Sequence, residues 1–181
     1  MLSSFENKTV IITGASAGVG AACARTFAAL KAKLVLVARG EEALNKIADE
    51  LRPQCEVLTV VMNVASNEDC LALLEQAEST FGAVHVVVNN AGMHLRGDLE
   101  KVPVNDVAAM VDINMRAPLL LSAAAIPYLR RAGEGAIVNV GSLAGRAPLQ
   151  GAATYSATKA GLRAFSYALA DELRDSGISV G

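Results

Sequence analysis

The stretch TVIITGASAGVGAACARTFAALKA, from Thr9 to Ala32, decides the fold. TVIITG (Thr9–Gly14) is β-branched on both faces and ends in glycine, which predicts a buried strand that stops at a tight turn. VGAACARTFAALKA (Val19–Ala32) is alanine-rich and predicts a helix. The same alternation continues outward. KLVLVAR, EVLTVVMNV, VHVVVNNAG, GAIVNVGS and GISVG read as five further strands. Between them, EEALNKIADELR, NEDCLALLEQAESTFG, the long stretch from Val102 to Gly133 and Tyr155–Asp175 read as helices, with Asn67 as the expected N-cap of the third.

Strands apolar on both faces that alternate with helices specify a parallel sheet covered on both sides. Right-handed crossovers then give an α/β fold of the doubly wound, Rossmann type, with its site outside the carboxyl ends of the strands. The chain has 181 residues, 52% apolar and 19% charged, which suits a single domain spanning 1–181 and excludes disorder. A net charge of -2 without a basic block gives no sign of nucleic-acid binding. Three cysteines without a CxxC predict buried thiols in a reducing compartment. APLLLSAAAIPYL is interrupted by Ser122 and two prolines and reads as too broken for a membrane span. With no signal-peptide pattern at the start, the expectation is a cytoplasmic protein without a membrane partner. His85 and His94 lack partners at metal-ligand spacing, so no metal is expected.

TGASAGVG (Thr13–Gly20) carries the first chemistry. Gly14 permits the turn, Gly18 allows close approach of a pyrophosphate, and Gly20 allows the helix to pack on the sheet. The helix N-terminus around Gly18, Val19 and Gly20 offers free N–H groups and partial positive charge to phosphate. No lysine follows the last glycine, which excludes a P-loop. At the end of the second strand stand Ala38 and Arg39, where an acidic residue would select an unphosphorylated ribose. Arg39 can bridge a 2′-phosphate with parallel N–H donors, and Ser16 can add a hydroxyl. The expected cofactor is therefore NADPH/NADP rather than NADH.

Tyr155 and Lys159, in YSATK, share one face of a helix. A free phenol has a pKa of about 10, and a neighbouring ammonium favours its ionised form. TGASAGVG, NNAG (Asn89–Gly92), Gly141–Ser142 and YSATK occur in that order. On these motifs the chain resembles the short-chain dehydrogenase/reductase family from Thr9 to its end.

The resemblance implies an NADP(H)-dependent oxidoreductase that interconverts a carbonyl and a secondary alcohol, such as a 3-oxoacyl-thioester reductase or a broad ketone reductase. It implies Tyr155 as acid/base, Lys159 on the nicotinamide ribose, and Ser142 on the substrate oxygen. It also implies Asn114 as support for a relay water. Pro118 has no N–H to give the Asn114 carbonyl, which fits that role. Asn90, Ala91 and Gly92 are expected beside the cofactor. Asn63 and Val64 stand where the family commonly has Asp-Val near the adenine. A homodimer or homotetramer is expected through Val104–Arg131 and Tyr155–Asp175, the latter with Ala157, Ala160, Ala164 and Ala168. The family pattern continues past Gly181 with a seventh strand and a cover for the substrate, so the C-terminal part is read as missing. The alternative reading is a non-catalytic cofactor-binding module with a regulatory or scaffolding role.

Overall fold

The computed structural model describes residues 4–181. Six parallel strands form one sheet: β1 (Thr9–Thr13), β2 (Lys33–Ala38), β3 (Val57–Val61), β4 (Val86–Asn89), β5 (Gly135–Asn139) and β6 (Ile178–Val180). Their order is β3-β2-β1-β4-β5-β6. The winding reverses between β1 and β4, and that switch leaves a crevice at the carboxyl ends of the two strands. Ile11 pairs with Val87, in register with Val35 on the other side of β1.

The double-sided apolar character of β1 divides between two cores. Val10 and Ile12 pack with α1 (Gly18–Ala29) and α2 (Glu41–Leu51), against Ala24, Ala28, Leu44 and Leu51. Ile11 packs on the opposite face with α3 (Asn67–Phe81), α5 (Ala117–Arg131) and α6 (Ala153–Glu172), against Leu73, Leu74, Leu121, Leu129 and Leu169. Ile11, Ile12 and Leu34 are wholly buried. Burying one such side chain contributes about 1.5–3 kcal/mol, so the central strands anchor the turns that follow them.

Four expectations need correction. The cap of α3 is Ser66, whose hydroxyl accepts the Asp69 N–H at 3.1 Å; Asn67 is the first helical residue. The helix α1 stops at Ala29, and Lys31 turns the chain at φ 61 into β2. Only Cys70 is buried; Cys23 and Cys55 are half-buried, and all three are free thiols. The long fourth helical stretch is not uniform: α4 (Val104–Val111) passes through a π-helical turn, Asp112–Arg116, into α5. It is nevertheless unbroken by its prolines, and Val104–Arg131 is long and apolar enough to cross a membrane by length and composition. Met110, Leu121, Ala125 and Leu129 along it are buried in the protein, as in a core helix.

Candidate active site

The glycine turn is tied to the end of β4. The buried Thr13 hydroxyl accepts the N–H groups of Asn90 and Ala91, both at 3.0 Å. Asn90 Nδ2 donates to the carbonyls of Thr13 and Gly14 at 2.9 and 3.2 Å. Asn90 thus spends its amide on holding two loops together. A Cβ on Gly20 would lie 2.2 Å from the Gly14 oxygen, so only glycine admits this approach of helix to turn. No side chain caps α1 at Ala17, and no acidic residue stands in its first turn. Its leading N–H groups therefore remain open to an anion.

Beside this turn lies a cavity of about 260 Å³. Gly14, Ser16, Arg39, Asn63, Val64, Ala91 and Gly92 all line it, together with Met93 and Ile113. Strand order brings all but Ile113 together, since they follow β1, β2, β3 and β4, while Ile113 comes from the π-helical turn. Arg39 is exposed and enters no ion pair among the described residues. Gly18, Val19, Gly20 and Asn90 shape the turn without lining the cavity. Asn63 Oδ1 accepts the Ala65 N–H at 3.1 Å, which closes the loop after β3.

Tyr155 and Lys159 stand one turn apart on α6. Lys159 is buried, and its Nζ donates to the Val140 carbonyl at 2.6 Å. Desolvation pushes its pKa below the usual lysine value. Nζ lies 6.0 Å from the centre of the Tyr155 ring. Ser142 caps the short 3-10 turn Leu143–Gly145, and its hydroxyl accepts the Ala144 N–H at 3.2 Å. That turn is pressed onto α6: a Cβ on Gly145 would meet the Lys159 carbonyl at 2.8 Å. Ser142 lines a second cavity, about 520 Å³, with Leu143, Arg146, Leu162, Tyr167 and Gly181. The guanidinium groups of Arg163 and Arg146 near Tyr167 lower its phenol pKa from 10, with Arg163 lying over the ring at 5.3 Å.

Asn114 sits buried in the π-helical turn. Its Oδ1 accepts the Met93 N–H and its Nδ2 donates to the Met93 carbonyl, both at 2.7 Å. The same Nδ2 lies 3.4 Å from Thr158 Oγ1. Pro118 follows four residues later and supplies no N–H to the Asn114 carbonyl. Asn89 Nδ2 donates to Ser122 Oγ and Asn139 Oδ1 at 3.1 and 2.8 Å, joining α5 and β5 to β4. Met93 flanks the site in the sequence, whereas the structural roles of Thr13 and Ile113 emerge only from the fold. Of these two, Thr13 alone had a signal, as the last residue of the strand that opens the glycine turn.

An all-parallel sheet with a glycine-bordered crevice at its switch point is the architecture of doubly wound proteins that bind ligands outside the carboxyl ends of the strands. The chain belongs to the short-chain dehydrogenase family, whose model matches residues 8–181. It is 34% identical over 179 residues to an uncharacterized oxidoreductase of Staphylococcus epidermidis, covering 99% of this chain and 77% of that one. It is 36% identical over 173 residues to sulfoacetaldehyde reductase 2 of Chromohalobacter salexigens, covering 94% and 69%. A metagenomic short-chain oxidoreductase solved in complex with NADP superposes with a TM-score of 0.92 at 33% identity, covering 97% of this chain and 80% of that one. A short-chain dehydrogenase from Streptomyces avermitilis gives 0.89 at 31%, covering 99% and 65%. The chain is thus an NAD(P)-dependent oxidoreductase, not a non-catalytic module.

Proposed function

We propose that this enzyme uses NADP(H) to interconvert a carbonyl compound and a secondary alcohol. The observation that carries the cofactor choice is Arg39 on the rim of the cavity, with no acidic residue at the end of β2. A free guanidinium there favours a 2′-phosphate and an aspartate would repel it. Gly14, Ser16, Asn63 and Val64 would hold the adenosine end, and the open N-terminus of α1 the pyrophosphate. The cofactor, when bound, supplies or accepts hydride.

The protein's own share is proton handling and orientation. Tyr155 gives its phenolic proton to the carbonyl oxygen in reduction and takes it back in oxidation. Ser142 hydrogen-bonds the same oxygen and orients it. Lys159 contributes a buried positive charge that stabilises negative charge developing on the phenol oxygen. The Asn114 carbonyl, without a donor from Pro118, can hold a water that resupplies the proton through Lys159. NADPH oxidation with a panel of ketones, aldehydes and oxoacyl thioesters tests this reading. It expects turnover with NADPH well above that with NADH. Equal use of both cofactors by wild type and Arg39→Asp contradicts the cofactor choice.

A homodimer or homotetramer is proposed through α4 and α6. Ala157, Ala160, Ala164 and Ala168 are all exposed along α6, so they serve no core contact. Val104 and Val111 on α4 are 82% and 42% exposed. Sedimentation of wild type and Ala164→Glu checks it, with a smaller species expected for the variant.

A further inference from the structure

We infer that His94 is a positioning residue for the Tyr155 phenol; the inference rests on reading Tyr155 as the proton donor. His94 follows β4 in a loop that is fixed at two points. Met93 is clamped on both backbone groups by Asn114, at 2.7 Å each. Gly97 N–H donates to the Gly151 carbonyl at 2.9 Å. Only three residues span the two anchors, so the loop has little freedom to swing. Between them the His94 ring lies against the Tyr155 ring, with centroids 4.1 Å apart and planes tilted by 32°. This is stacking distance for an aromatic pair.

The anchor and the phenol share a tether. Asn114 Nδ2 reaches Thr158 Oγ1, and that hydroxyl donates to the Tyr155 carbonyl at 2.8 Å. One buried amide therefore sets the loop and the first turn of α6 relative to each other. Tyr155 is half-buried, with Lys159 Nζ 6.0 Å from its ring centre and the His94 imidazole against the ring. Loss of the imidazole frees one face of that ring and lets the hydroxyl depart from the geometry that proton transfer needs. An exposed loop histidine without such anchors would be a chance surface contact.

The test compares His94→Ala with His94→Phe in the full chain, using NADPH and a ketone that the wild type reduces. His94→Ala should lower kcat about three- to tenfold, the range that losing an aromatic pair supplies. KM for NADPH should stay within twofold. His94→Phe, which keeps the stack, should restore kcat. An active wild type with an unaltered His94→Ala, or a Phe variant as slow as Ala, overturns the inference and leaves the function standing. A wild type without turnover overturns the function and this inference with it. The stack itself has a readout apart from activity. The chain holds two histidines, so the His94 imidazole protons are assignable by NMR from the His94→Phe spectrum. They should resonate upfield of ordinary positions and move downfield in Tyr155→Ala. Signals that do not move contradict the stack.

Discussion

Replacing Gly20 with alanine probes the close packing of α1 on the glycine turn, beside the proposed cofactor cavity. The added methyl would lie 2.2 Å from the Gly14 oxygen, 2.5 Å from Asn90 Nδ2 and 2.8 Å from the Gly14 carbonyl carbon. Two of these atoms are backbone. The third is held by hydrogen bonds of 2.9 and 3.2 Å to Thr13 and Gly14, so it cannot swing aside without leaving them unpaired. Overpacking costs about 1–3 kcal/mol, and backbone contact this close places Gly20→Ala at the upper end. In a domain of this size each kcal/mol shifts Tm by about 2–4 °C, so a loss of about 6–12 °C is expected. Gly18→Ala is the control. Gly18 has φ 54 but no atom within 4 Å of its added Cβ, so it bears only the left-handed backbone cost, about 1–2 kcal/mol. Thermal and urea unfolding of both variants, with NADPH titration, decides the matter. Gly20→Ala should be the less stable and should bind NADPH more weakly than wild type. A Gly20→Ala variant as stable as Gly18→Ala refutes the packing argument.

Three further outcomes follow from the same contacts. His85 Nδ1 accepts the Thr9 N–H at 3.1 Å, and desolvation, then Lys8, lowers its pKa from 6.5. Because the folded state binds this proton less readily than the unfolded one, its contribution is complete above about pH 6.5 and falls as pH drops towards the folded pKa. Urea denaturation across that window should show wild type losing stability faster than His85→Phe. Lys159 follows the same sign at higher pH: its pKa lies below 10.5, so stability should rise with pH up to that value, and Lys159→Met should abolish the rise. Asn114→Ala strands both Met93 backbone groups, a loss of about 2–4 kcal/mol measurable by urea titration.

What the sequence disclosed and what it hid have physical causes. Continuous β-branched runs announce parallel strands because both faces are buried, and Thr9–Thr13 shows five buried residues in a row. Gly14, Ser16, Arg39, Asn63, Val64, Ala91 and Gly92 could be grouped from the sequence because doubly wound topology places every strand end on one edge, and they meet around one cavity. Ser66 and Asn67 are adjacent and equally good caps, so local chemistry could not choose between them. The clamp that Asn114, in the π-helical turn, places on Met93 was hidden because it joins residues 21 positions apart. The His94–Tyr155 stack was hidden for the same reason: a loop ring finds its partner only through tertiary anchors.

The most direct measurement is NADPH turnover and NADPH affinity of Tyr155→Phe in the full chain. Removing one hydroxyl should cut kcat by about 100-fold or more while the dissociation constant for NADPH stays within twofold. Undiminished turnover by the variant would mean that another group donates the proton, and the proposed chemistry would not stand.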